Sequence, residues 1–139
     1  MKKQYTFKRA RLFGPLWVLF FSPFMAYFPL NFFNGSKYVV AGAFVMIVFL
    51  ALMATRELWR LPKHILLTES TLVVDYYFNT DMMVALDEIQ SLSYQVDGWQ
   101  QIFAITIYTS DHTRRLNVDI TYLKEKDAFI SDLNESLDP

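Results

Sequence analysis

From Leu12 to Ser36 the chain carries no charged residue, and a second uncharged run extends from Tyr38 to Thr55 before Arg56. A helix rises about 1.5 Å per residue, so either run can cross a hydrocarbon layer about 30 Å thick. The pattern predicts two spans, at about 12–32 and 38–58, joined through an Asn34-Gly35 turn. So short a link leaves room only for antiparallel neighbours, a helical hairpin. Pro23 deletes a backbone donor that lipid does not replace, which predicts a kink near Ser22. Along the second run Ala43, Ile47, Ala51 and Ala54 recur at helical spacing. These mostly small side chains admit a close neighbour, either the first helix or the helix of a partner.

Beyond Pro62 the period changes from helical to two. Leu72, Val74, Tyr76 and Phe78 face one way, Met82, Val84 and Leu86 follow in a short strand, and Leu92, Tyr94 and Val96 alternate with Ser91, Ser93 and Gln95. Phe103, Ile105 and Ile107 follow, then Leu116, Val118 and Ile120. With a short strand from Ile65 to Thr68, these runs predict an antiparallel meander of about six to seven strands with one buried face. After Thr121, a candidate N-cap, Leu123, Ile130 and Leu137 recur at seven and predict an amphipathic C-terminal helix that closes the bent sheet. The division is then 1–62 for a basic segment and hairpin and 63–139 for an α+β domain expected to fold alone.

Charge sharpens this division. The net charge of -1 conceals +7 over residues 1–62 and -8 over 63–139. Five basic residues precede the first span, Lys37 alone sits in its connection, and Arg56, Arg60 and Lys63 follow the second. Positive residues stay on the cytoplasmic side, so both termini are expected there, in a multi-pass protein of the cell membrane. Trp17, Arg56, Trp59 and Arg60 are the candidate interface anchors. The acidic half disfavours nucleic acid, Arg114-Arg115 being its one adjacent basic pair with side chains on opposite faces of a strand.

Candidate chemistry is sparse. With no cysteine, thiolate metal sites, disulfides and thiol nucleophiles are excluded. His64 and His112 are the only histidines and neither has a second ligand at helical spacing. Asp111-His112-Thr113 occupies a turn, where Asp serves local hydrogen bonding, and the side chains of Asp87-Glu88 diverge along an extended chain. Four glycines build no phosphate loop. No enzyme, metal or cofactor is expected. The loop Asp97-Gly98-Trp99-Gln100-Gln101 places a tryptophan where it either lids the sheet or stands out as a binding anchor. Tyr77 and Tyr108, on the outer faces of their strands, extend this candidate partner surface.

The stretches Pro62-Lys63-His64-Ile65-Leu66-Leu67-Thr68-Glu69-Ser70 and Val84-Ala85-Leu86-Asp87-Glu88-Ile89, set between a hairpin and further strands, resemble bacterial two-span membrane proteins with a C-terminal pleckstrin-homology-like (PH-like) domain. The resemblance implies a split, bent barrel closed by a helix, without enzymatic activity, acting as an interaction module or accessory subunit at the cytoplasmic membrane face. Members of the wider superfamily that bind phosphoinositides use basic residues around the first hairpin loop, read here as Glu69-Ser70, so no phosphoinositide is expected. The competing function is a small pore or transport component, with second helices oligomerised and the domain as gate. The absence of charge inside either run speaks against an ion pathway.

Overall fold

The computed structural model describes residues 2–32, 36–111 and 115–138. The Asn34-Gly35 turn, His112 and Arg114 lie outside them. Element order is β1 (Lys3–Thr6), α1 (Phe13–Phe32), α2 (Lys37–Trp59), β2 (Pro62–Leu67), β3 (Thr71–Tyr76), β4 (Met82–Ala85), β5 (Ile89–Val96), β6 (Ile102–Thr109), β7 (Arg115–Asp119) and α3 (Lys126–Leu137). One-turn 3₁₀ segments occupy Arg9–Leu12 and Leu86–Glu88. The chain divides into a helical unit, Arg9–Leu61, and a second unit made of Met1–Lys8 with Pro62–Pro139.

In the helical unit the two uncharged runs are helices, and α1 and α2 pack on one another. Ser22 explains why α1 continues unbroken past Pro23. Proline has no N–H for the carbonyl of Leu19, four residues back, and the Ser22 hydroxyl donates to that carbonyl instead, at 3.3 Å. On α2 the buried positions are Ala43, Ala54 and Leu58, with Ile47 and Ala51 half-buried between them. The small-residue stripe is therefore the face that α2 buries. Outside it α2 is apolar and exposed, and it is long and apolar enough to cross a membrane.

The second unit corrects the division at residue 62. Lys3–Thr6 is not a basic flank of the helix but the edge strand β1, antiparallel to β2 with Tyr5 opposite Ile65 and Thr6 opposite His64. Its period-two pair Tyr5 and Phe7 is buried in the core with Ile65, Leu67, Leu72 and Val74. Each such side chain contributes about 1.5–3 kcal/mol on burial. β1 is also tied to α3: the Tyr5 hydroxyl donates to Asp132, Lys3 Nζ lies 2.8 Å from Asp132 Oδ1, and the Tyr5 and Phe129 rings meet edge to face at 5.1 Å. With the three N-terminal lysines included, this unit holds thirteen acidic and eight basic residues, a net charge of -5.

The expected single meander is two antiparallel sheets, β1-β2-β3-β4 and β5-β6-β7. Pairing stops after β4 because Leu86–Glu88 turns as a 3₁₀ segment, with Leu86 buried and its N–H on the carbonyl of Ser70 at 2.9 Å. Nor is only one face buried. In β6, the central strand of its sheet, Ala104 and Thr106 are as buried as Ile105 and Ile107, and the Gln95 amide donates to the Thr106 hydroxyl at 3.1 Å. β3 ends at Tyr76, leaving Phe78 exposed.

The C-terminal helix starts later than its periodicity suggests. Thr121 does not cap it: its N–H and hydroxyl both donate to Asp119 Oδ1, closing a turn after β7. Leu123 is buried before the helix begins, bridging to Phe7. Phe129 and Leu133, four apart on α3, then enter the core.

Candidate functional site

The β5–β6 turn is built around one carboxylate. Asp97 Oδ1 accepts from the backbone N–H of Trp99 and of Gln101, both at 2.9 Å. The Gln100 N–H donates to the Asp97 carbonyl and the Asp97 N–H to the Gln101 carbonyl, each at 3.0 Å. These bonds hold Gln100 at φ 59°, a left-handed conformation that costs a side-chain-bearing residue about 1–2 kcal/mol. The turn thus fixes its tip, and Trp99 is 87% exposed. The indole stands out and does not lid the sheet.

The other two residues of the candidate surface are not brought to it. Tyr108 sits at the far end of β6, some six residues and about 20 Å along the strand from the Trp99 turn at about 3.3 Å per residue. It is half-buried, with the guanidinium of its cross-strand neighbour Arg115 at 5.8 Å from the ring centre. Tyr77, half-buried just beyond β3, lies against Phe78 at 6.2 Å. Near Tyr108 the edge strands β4 and β7 line an open groove of about 870 Å³, with Met82, Met83 and Val84 on one side and Arg115 and Leu116 on the other. Reading the strands as one continuous sheet left no gap for such a groove. Its sequence signal is Met82-Met83-Val84-Ala85, an edge strand without the charge or proline that usually guards one.

On the helices, the anchor candidates are on the surface. Trp17 is exposed and stacks on Phe21 with centroids 4.0 Å apart and rings 9° from parallel. Arg56, Trp59 and Arg60 are all exposed at the end of α2.

A second cluster surrounds Asp75, which sequence spacing did not reveal because its members come from neighbouring strands. His64 Nε2 lies 3.0 Å and Lys63 Nζ 3.8 Å from Asp75 Oδ2. The Asp81 carboxyl hydrogen-bonds the same carboxylate, and that shared proton holds the Asp81 pKa above its ordinary value. Among the described residues no three His, Asp or Glu side chains are placed to hold a metal ion.

No family model, curated protein or solved structure matches the chain.

Proposed function

We propose that the chain is a membrane-anchored interaction module of the bacterial cell membrane. α1 and α2 cross the bilayer and the two-sheet unit, PH-like in plan, docks a protein partner or serves as accessory subunit at the cytoplasmic face. One observation carries the reading. The helices expose large apolar side chains that water would not tolerate, among them Phe13, Phe20, Phe24, Phe44, Phe49 and Leu52. An apolar patch far larger than a monomer normally leaves to solvent marks a lipid or protein contact, and α2, long and apolar enough to span, with the 20-residue α1 packed on it, favours lipid.

The β1–β2 pairing supports, by a separate argument, placing both flanks of the hairpin on one side: residues before and after it are hydrogen-bonded to each other, so a chain that spans twice would enter and leave the bilayer at the same face. Four strands, then three, then a C-terminal helix also support the PH-like reading, with the helical hairpin inserted between the first two strands. That insertion makes Glu69-Ser70 the second connection and not the first, so the phosphoinositide expectation rests instead on the net negative charge of the unit, which anionic headgroups repel. Trp99, rigidly presented, is the proposed partner anchor, a role in which tryptophan is enriched. A pore of oligomerised α2 helices would need a face other than the Ala43, Ile47, Ala51 and Ala54 stripe, which the chain already buries.

Because the chain has no cysteine, single-cysteine variants report only their own location. Ser36→Cys, between the helices, should react with a membrane-impermeant maleimide from outside intact cells, and Ser136→Cys only after permeabilisation. Labelling of both from outside, or recovery of the protein in the soluble fraction after lysis, overturns the reading.

A further inference from the structure

The end of α2 joins two features on one helical face. Arg56 and Arg60 are four residues apart, so their side chains project from one face about 6 Å apart along the axis. That face is roughly opposite the one carrying Ala54 and Leu58, which are buried. Trp59 lies between the two arginines in sequence and is 54% exposed. Over the preceding turns the exposed side of α2, in the direction of Trp59 and overlapping the arginine face at Val45 and Phe49, forms an open, almost wholly apolar groove of about 290 Å³ lined by Phe44, Val45, Val48, Phe49 and Leu52. The groove runs along the helix for about 12 Å, at about 1.5 Å per residue, and ends one turn before Arg56.

We propose that this face binds an anionic phospholipid, with the phosphate clamped by Arg56 and Arg60 and one acyl chain lying in the groove. The inference rests on the membrane reading above and names the lipid class within it. Charge complementarity sets the headgroup end. Guanidinium groups match phosphate oxygens bidentately and are more weakly hydrated than ammonium, so they lose less on leaving water. Glu57 is the only acid in the helical unit, and Arg9 and Arg11, just before α1, add positive charge at the same end of the hairpin. Apolar complementarity sets the other end, since Phe44 through Leu52 offer no polar group to a protein partner but fit a hydrocarbon chain. Tryptophan at the boundary suits the level of the headgroups.

The test uses the full chain in lipid nanodiscs of phosphatidylcholine with a minor share of phosphatidylglycerol, and native mass spectrometry of the lipid retained after release. Phosphatidylglycerol should be enriched on the order of tenfold or more over its bulk share, as two cations near the headgroups imply. Arg56→Gln with Arg60→Gln should return the retained lipid to the bulk ratio, whereas Lys124→Gln with Lys126→Gln, at α3, should leave the enrichment unchanged. Val48→Trp, which fills the groove and keeps both arginines, should lower retention of both lipids. Glycerol phosphate, which lacks acyl chains, should not compete. Enrichment that survives the arginine substitutions, that falls equally with the α3 lysines, or that glycerol phosphate abolishes overturns the proposal. A chain that does not enter pure phosphatidylcholine discs instead overturns the membrane reading itself.

Discussion

At Tyr5 a single phenol meets both an apolar ring and a carboxylate. Its burial, with the Asp132 carboxylate beside it, pushes the Tyr5 pKa above the usual phenol range, while Lys3 first and Tyr5 second hold Asp132 below the usual carboxylate range. Tyr5→Phe should keep the packing on Phe129 and lose the hydrogen bond, a cost of about 1.5–3 kcal/mol for a bond to a charged group, read by denaturant unfolding. Asp132 gives a pH signature. A carboxyl whose folded pKa is depressed stabilises above its unfolded value, about 3.9, and that contribution drains away as pH falls through the lower folded value. Asp132→Asn should therefore lower the unfolding midpoint near neutrality and flatten its acid-side fall; an unchanged acid limb would show that the Lys3 pair contributes nothing. Asp81 has the opposite sign, because its raised pKa favours the folded state only while the shared proton is present. Asp81→Asn should remove a loss of stability that otherwise begins as pH rises above the unfolded value and is complete once pH has passed the raised one. Neither carboxyl could be read as paired from sequence, since their partners are strand neighbours or more than a hundred residues away, whereas the Asp97-Gly98-Trp99 turn was legible because all of its hydrogen bonds are local.

At the scale of elements, what was legible tracks the length over which a pattern repeats. α3 and the strands β3 to β7 lie on runs with three or more periodic positions each, α1 and α2 on long uncharged runs and β2 on a short apolar one, and the structure places an element on every one. β1 carries only Tyr5 and Phe7 among lysines, which in front of an apolar run reads as a positive flank. The break between β4 and β5 was hidden because Leu86 keeps the period of two through a turn that ends the pairing. α1 shows a local repair at a proline, the helix continuing through Pro23 with the Leu19 carbonyl served by Ser22. If the Ser22 hydroxyl serves the carbonyl that Pro23 leaves without a donor, the two residues must be coupled. Ser22→Ala should cost about 0.5–1.5 kcal/mol in the natural background, the net worth of a typical hydrogen bond. In a Pro23→Ala background the restored N–H takes over and the cost should fall toward zero. A double-mutant cycle on detergent unfolding measures the difference, and additive effects would remove Ser22 from this role.

On the scale of the whole molecule, inserting a hairpin between two paired strands makes the folded unit discontinuous in sequence. Residues 63–139 alone would lack Tyr5 and Phe7 from their core and leave the β2 edge and Asp132 without the partners that β1 supplies. Losing two aromatic core side chains at about 3–5 kcal/mol each is comparable with the entire stability of a small domain. The fragment should therefore be unfolded or molten, contrary to the expectation from the charge division. The cure follows from the same register. Thr6 and His64 are opposite each other and the Phe7 N–H donates to the Lys63 carbonyl at 3.4 Å, so the two ends already stand at strand spacing. A hairpin turn of a few residues, with Asn-Gly at its centre, can replace residues 9–61 and close β1 onto β2. That chimera should give dispersed amide resonances and one cooperative unfolding transition, while 63–139 gives neither. A well-folded 63–139 fragment would show instead that β1 is an accessory edge, and the same-side argument for the termini would then stand only on the basic flanks.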